Sequence, residues 1–553
     1  MELSPIPTMA NPDNRAYRFG HAFGAWLSRF WRWPLAIGGG VLSSLAYPRE
    51  GLWPMIFVSV TALLVSVRGQ KAGKSFAIGY VGGFFFYVSQ IEWISLYLGP
   101  VPLLALAILE GFFFALGMAA ISRVWSWLDS ARASKMGVFR PAIIAFAVAT
   151  LWTAREWVST NLPYGGFPWS RLAMSQSESV FGKWVFYGGQ ALLTFLIVFV
   201  CAITISSFRQ IKNRLRDSKK VAHSGRGPLW LMPESIIAGG LILVIILVPA
   251  LTTLPKDAQA GSMVIAAVQG NANAGLFANP TPGSILRNHL QATAKIKSQP
   301  LGSKVELVVW PENASDINPL ADAGAGNTIR RLVDDYLKVP LIFGTITKRG
   351  TALYNSSLLW KPGEGLTDWY DKKRPVPFAE YVPDHDFWYS LAPDLIGLIS
   401  HGYTFGTRDG IFNVGTKKLG ILICFEIAID DISRDLVNSG ATVILSQTNN
   451  SDFGRSDETF QQVAIAKLRA IETGRAVVND STVGVSAIFA PDGSTLAQLP
   501  TFEPGVMVTR VPLRTALTPA MVVGPAFDLA VNFLALAFMI FTGGWHKFKR
   551  RSA

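Results

Sequence analysis

The sequence predicts a polytopic α-helical membrane domain of about eight spans, with one α/β domain inserted before the last span. Three observations carry this. Half of the 553 residues are hydrophobic and only 16% are charged, against roughly 25% in soluble domains. Apolar runs of roughly 17 residues or more, enough to cross a bilayer, recur up to residue 255 and return near the end. Between 262 and 512 the pattern changes to short apolar runs alternating with amphipathic stretches, as in an α/β layered domain.

The expected spans are 31–48, 52–67, 75–98, 101–122, 141–158, 184–208, 236–254 and 519–545. Residues 1–30 read as an N-terminal tail, 31–255 as a seven-span membrane domain and 546–553 as a basic tail. The loops set the orientation. Arg15, Arg18, Arg29 and Arg32 precede the first span. Arg68, Lys71 and Lys74 follow the second, and Arg123, Arg132, Lys135 and Arg140 follow the fourth. Seven basic residues from Arg209 to Arg226 follow the sixth, and Lys547, Lys549, Arg550 and Arg551 follow the eighth. The alternate loops are nearly uncharged. Lys and Arg stay on the cytoplasmic side, so both termini are expected inside and 262–512 outside. The net charge of +13 is then a consequence of topology, and no nucleic-acid partner is expected.

The inserted region reads in order. "SMVIAAVQGN" (262–271), "VELVVWPE" (305–312), "PLIFGTI" (340–346), "LGILICFE" (419–426) and "ATVILSQTNN" (441–450) are buried strands ending in polar tips. "SILRNHLQATAKIKSQ", "NTIRRLVDDYLK", "AIDDISRDLVNSG" and "FQQVAIAKLRAIETGRA" are amphipathic helices. In such domains chemistry collects at strand ends and in the loops that follow.

Only two cysteines are present. Cys201 lies in an apolar run and Cys424 ends a strand, so no disulfide is expected. No CxxC, Cys/His cluster or HExxH pair occurs, so no metal or cofactor is expected either. Three strand-end signals stand out: Glu312 in "VVWPEN", Lys372 in "WYDKKRPVPFAEYVP" and Cys424 in "LGILIC". A thiol becomes a nucleophile as a thiolate. A carboxylate can take its proton, and an ammonium can stabilise first the thiolate and then an oxyanion. Glu, Lys and Cys together are sufficient for acyl transfer, although composition alone does not bring them together.

"PEN", "YDKKRPVPFAEYVP" and "ILICFE", in this order, resemble the Glu-Lys-Cys signature of the nitrilase (carbon–nitrogen hydrolase) superfamily. With "GGFPWSRLAMSQ" (165–176) and "VQGN" (268–271), nearly the full chain resembles the apolipoprotein N-acyltransferases, and "QTNN…FG…QQ…LRAIE.GR" resembles their actinobacterial branch. The resemblance implies a nitrilase-like αββα sandwich in a multi-pass protein of a bacterial plasma membrane. It implies Glu312 as general base, Lys372 as thiolate and oxyanion stabiliser and Cys424 as nucleophile. Glu380 matches an assisting glutamate and Glu426 the acid two residues after the cysteine. The implied partners are a membrane phospholipid, as acyl donor, and a diacylglyceryl-modified apolipoprotein, as acceptor, acting on a monomer. The chain departs from the common family pattern at Phe425 (often Tyr), at Asn450 and Asp452 in "TNNSDFG", and at Gln462 in "FQQ".

Other readings stand beside these. Cys424 alone fits a small buried hydrophobe. Lys373 adjoins Lys372, but the motif places the reactive lysine directly after Tyr-Asp. Glu380 could hold a backbone amide in its Pro-rich loop, and Glu426 could orient a loop. "FWYSLAPDLIGLIS" (387–400) reads either as a small core helix or as an arm touching lipid. Gly79 and Gly83 read as helix packing. Glu110, deep in an apolar run, is a functional suspect by default. A membrane-tethered amidase with water as acceptor, and a non-catalytic transporter or scaffold, are the competing functions.

Overall fold

The computed structural model describes residues 30–130, 136–218, 233–273, 281–399 and 402–551. Arg15, Arg18, Arg29, Arg132, Lys135, Lys219, Lys220 and Arg226 lie outside the described residues. The helices before the inserted domain are α1 (Arg32–Leu42), α2 (Met55–Val67), α3 (Ala72–Val88), α4 (Ser95–Leu98), α5 (Pro100–Leu128), α6 (Arg140–Ser159), α7 (Val185–Ser218) and α8 (Pro233–Leu251). The domain itself contains α9 (Ser284–Thr293), α10 (Ala323–Arg331), α11 (His385–Leu391), α12 (Pro393–Ile396), α13 (Asp430–Asn438) and α14 (Glu458–Thr473). The last helix is α15 (Pro519–Arg551).

Among the described residues, 5 helical segments are long and apolar enough to cross a membrane: Pro100–Leu128, Met136–Ser159, Val180–Lys212, Pro233–Leu251 and Pro519–Thr542. The apolar helices α1, α2 and α3 are shorter and pack with them. Gly79 and Gly83 bring α3 against α5. A Cβ on either would sit 2.6 Å from Met118 or 2.5 Å from Phe114. Glu110 is buried on α5 within electrostatic reach of Arg155. The Arg155 guanidinium lies over the Phe114 and Trp152 rings.

Several helices differ from the sequence expectation: α5 and α15 run on to Leu128 and Arg551 rather than stopping at 122 and 545, and three more differ, each for a local reason. The first stops at Leu42 and gives way to a tighter turn over Ser44–Ala46. The third stops at Val88 instead of reaching 98. Beyond it the Gln90 carbonyl accepts from Gln461 Nε2 at 2.8 Å and the Gln90 amide donates to Ser43 Oγ at 2.8 Å. The chain leaves the helical path there to meet the α/β domain. The helix α7 runs past 208 to Ser218 and is broken at Gly188 and Gly189. Gly189 has a φ of +72°, and a Cβ there would lie 2.7 Å from Glu472 Oε1. The glycine admits a carboxylate of the α/β domain into the break.

The α/β domain has strands β1 (Ser262–Gln269), β2 (Leu307–Val309), β3 (Leu341–Arg349), β4 (Ala352–Lys361), β5 (Gly365–Asp371) and β6 (Ile411–Val414). They continue with β7 (Lys417–Ile423), β8 (Val443–Thr448), β9 (Ala476–Ser481), β10 (Ala487–Phe489), β11 (Thr495–Gln498) and β12 (Gly505–Pro512). Two sheets form, each 6-stranded, in the orders β12-β1-β2-β3-β4-β5 and β11-β10-β9-β8-β7-β6. The centre of each is parallel: β1-β2-β3 in one and β7-β8-β9 in the other. Strand alternation sorts the side chains. Ile265, Ala267, Ile421 and Leu445 fill the core between the sheets. Ala266, Val268 and Val308 face outward against α9 and α10. Leu422, Ile444 and Val477 face the other way, against α14 and into one continuous core with the spans. The layers are α, β, β, α. One outer helical layer is also the contact with the membrane domain.

Candidate active site

Glu312 follows β2, Lys372 follows β5 and Cys424 follows β7. The three strand ends come together, with Glu312 and Lys372 both within electrostatic reach of Cys424. Cys424 has φ +53° and opens the tight turn Cys424–Ala428. This uncommon backbone lifts the thiol off the strand line, and Cys424 remains partly accessible.

Glu312 and Lys372 are buried at 5% and 1% exposure, so their charges must be compensated inside. Lys372 Nζ lies 2.8 Å from Glu380 Oε2 and 3.7 Å from Glu312 Oε1. Asn355 on β4 joins the two acids, donating to Glu312 at 2.7 Å and to Glu380 at 2.9 Å. Glu380 also accepts from the Val376 amide at 2.7 Å. Glu380 therefore braces a Pro-rich loop and also contacts the buried ammonium.

Burial pushes Glu312 up to about 7, with Lys372 pulling the other way and Glu380 adding to the rise. Burial alone would depress Lys372, but Glu380 and then Glu312 outweigh it and hold its ammonium well above the ordinary lysine value. Burial, and next Glu312, push the Cys424 thiol up against the opposing pull of Lys372. The resting site thus holds a protonated thiol, a charged lysine and a carboxyl poised near neutrality. This suits proton removal at the moment of attack.

Glu426 is fully buried and accepts from the Ile423 amide at 2.9 Å, the Lys373 amide at 2.7 Å, the Arg374 amide at 3.1 Å and the Tyr370 hydroxyl at 2.9 Å. It ties the Lys372 loop to the Cys424 turn. Lys373 points away and pairs with Asp409 at 2.8 Å.

Several residues that the sequence marked only as family departures or motif members, or not at all, complete the site. Gln462 Nε2 lies 3.8 Å from Cys424 Sγ. Its Oε1 accepts from Asn450 at 2.7 Å and from Thr448 at 2.8 Å. The adjacent Gln461 turns to the membrane domain, where Trp93 and Trp169 both donate to its Oε1, at 3.1 and 2.7 Å. Trp169, of the "GFPW" loop, stacks on Phe425 with 3° between planes and 6.0 Å between centroids. The residue after Cys424 therefore packs on the loop between α6 and α7. The consecutive glutamines opening a helix were the available signal. A cavity of about 370 Å³ opens beside this stack, lined by Tyr164, Arg374, Tyr381, Phe425 and Asp528 among others. Asp452, the other departure, is driven up by burial and makes no direct contact with Cys424.

Two family models match this chain. Residues 39–203 match the apolipoprotein N-acyltransferase N-terminal domain and 264–517 the carbon–nitrogen hydrolase. A protein of Mycolicibacterium smegmatis named apolipoprotein N-acyltransferase is 30% identical over 98% of this chain and 92% of its own length. The chain belongs to the apolipoprotein N-acyltransferases. A member of that name from Azotobacter vinelandii is 28% identical over 94% of this chain and 96% of its own. Among solved structures, an amidase of the nitrilase superfamily from Nesterenkonia aligns at 18% identity. It covers 47% of this chain and 94% of the amidase, with a TM-score of 0.35. The mycobacterial relative agrees with the actinobacterial resemblance read from "QTNN…FG…QQ". This N-acyltransferase family member is a membrane protein with a nitrilase-like α/β domain.

Proposed function

We propose that this chain moves an acyl chain from a membrane phospholipid to the α-amino group of the diacylglyceryl-cysteine that begins an apolipoprotein. The observation that carries this is the convergence of Glu312, Lys372 and Cys424 on a face that packs against membrane helices. Catalysis falls to the 262–512 unit. Glu312 takes the Cys424 proton, and the thiolate attacks the ester carbonyl. Lys372 stabilises the oxyanion. The C–O bond breaks, the alkoxide recovers the proton from Glu312, and a lysophospholipid leaves behind a Cys424 thioester. The acceptor amine then attacks the thioester, and Cys424 is regenerated.

Glu380 holds Lys372, and Glu426 is a positioning residue for both loops. The aromatic contact of Phe425 with Trp169 excludes water from the thioester, which a transferase needs to avoid hydrolysis. The alternate basic loops support eight spans, cytoplasmic termini and an outer-face catalytic domain, where both lipid substrates sit. The helix α11 supports a lipid-contacting arm, with Phe387 57% and Leu391 63% exposed.

Intact-mass spectrometry after incubation with a defined phospholipid tests the reading. Wild type is expected to gain one acyl chain, removable by hydroxylamine, and Cys424→Ser none. Wild type without adduct or lysophospholipid would sink it and favour an amidase acting on small substrates.

A further inference from the structure

The second half-reaction has a proton problem that the first does not. Ester plus thiol gives thioester plus alcohol with no net proton. An α-amino group has a pKa of about 7.7–8.0, so the acceptor reaches the site largely as an ammonium. Ammonium plus thioester gives an amide, a thiol and one free proton. Glu312 can return one amine proton to the Cys424 sulfur. The other needs its own acceptor, and in a site built to exclude water that acceptor must be supplied by the protein.

One buried carboxyl near the nucleophile has no use in the first half-reaction. Glu458, at the start of α14, is 2% exposed. Its side chain accepts from Asn450 Nδ2 at 2.6 Å. The same Asn450 nitrogen reaches Gln462 Oε1 at 2.7 Å, and Gln462 Nε2 contacts Cys424 Sγ at 3.8 Å. Asn450 is itself fixed by Ser481 Oγ, which donates to its Oδ1. Two amides thus link this carboxyl to the sulfur. Among the described residues no Lys, Arg or His forms an ion pair with it. Glu312 and Cys424 are the titratable groups that face it.

An acid opening a helix is ordinarily a solvated favourable partner of the helix dipole. Glu458 is not solvated. Burial first, with Glu312 adding and Asn450 opposing, lifts it to about 8. That is the range of the group it would have to deprotonate.

We propose that Glu458 is a catalytic residue of the second half-reaction, binding the incoming α-ammonium of the acceptor and taking its first proton. The neutral amine then attacks the thioester carbon. The C–N bond forms and the C–S bond breaks. The second amine proton passes through Glu312 to the Cys424 sulfur. The proton on Glu458 leaves to solvent with the product. This step rests on the acyl-enzyme reading above.

The test separates the half-reactions in the purified full-length chain. Wild type and Glu458→Gln are acylated with dipalmitoylphosphatidylethanolamine, and thioester and lysophospholipid are quantified. Each acyl-enzyme is then chased with a synthetic diacylglyceryl-cysteine peptide or with hydroxylamine, which is already neutral at pH 7. Glu458→Gln is expected to form the thioester within about threefold of the wild-type rate. It should transfer to the peptide about 100-fold more slowly, the lower range for a lost general base, and react with hydroxylamine at the wild-type rate. Glu458→Asp should recover part of the peptide rate. Equal slowing with both acceptors would mean that Glu458 only braces Asn450 and Gln462, and would overturn the proposal. Wild-type transfer to the peptide by Glu458→Gln would overturn it too. Absence of any thioester in the wild type would remove the acyl-enzyme reading itself, and this proposal with it.

Discussion

At the residue scale, the site works because opposite charges are buried together. Burial works against the charge on Lys372, and Glu380 and then Glu312 offset it. Glu312 would be an ordinary surface acid if β2 did not end inside the fold. In the proposed mechanism its carboxylate form is the proton acceptor, and that form grows as pH rises through about 7. The rate of acyl-enzyme formation is therefore expected to climb with pH across that range and level off above it. Glu312→Gln should lower the rate about 10²- to 10⁴-fold and abolish the climb. A burst assay for lysophospholipid across pH checks both. A pH-independent wild-type rate would contradict the assignment of Glu312. Glu312 and Cys424 were legible because each ends an apolar run in a polar tip, and Lys372 because the motif places it directly after Tyr-Asp. Asn355 and Glu458 were not, and Gln462 was visible only as a departure from the family pattern. Asn355 lies within β4, whose pairing with β3 is what brings it to Glu312.

At the element scale, α14 joins the two domains. Successive helical residues point about 100° apart, so Gln461 and Gln462 serve opposite sides. Gln461 accepts from two indoles of the membrane domain and donates to the Gln90 carbonyl. Replacing it by Ala leaves two buried N–H groups and one carbonyl unpaired, at about 1–3 kcal/mol each. Gln461→Ala is expected to lower the thermal midpoint in detergent and to slow thioester formation by displacing Gln462. An unchanged midpoint would mean that water replaces the lost bonds. Helix lengths were less legible than helix existence. Hydropathy carried α3 to residue 98 because Trp93 and Tyr97 sit among Ile91, Ile94, Leu96 and Leu98. The structure uses them instead to face the α/β domain, where Trp93 packs on Phe453 at 5.0 Å.

At the scale of the whole molecule, a buried ionic network locks the domains together. Arg171, from the loop between α6 and α7, reaches Glu156 at 3.4 Å and Asp430 at 2.7 Å. Arg469 on α14 reaches Asp430 at 2.9 Å and Glu472 at 2.5 Å. It also donates to the Ile427 and Ala428 carbonyls of the Cys424 turn. Removing one member strands the others, at about 3–5 kcal/mol. Arg171→Met should therefore destabilise the protein by about that much. It should also raise amide exchange over Asp430–Asn438, read by hydrogen–deuterium exchange mass spectrometry. Exchange unchanged there would show that Arg469 alone secures the turn.

The sequence by itself determined that this is a membrane protein with an inserted α/β domain, and which Glu, Lys and Cys to watch. Those signals are local: span length, loop charge, strand-to-tip patterning and short motifs. Tertiary structure decided where the spans yield to the α/β domain, and what surrounds the thiol. Trp93 and Gln461 are 368 positions apart, and Glu156 and Arg171 meet Asp430 only when two domains fold against each other. No window of sequence holds both partners. Their contacts are fixed by burial and hydrogen-bond satisfaction across the interface rather than by local propensity.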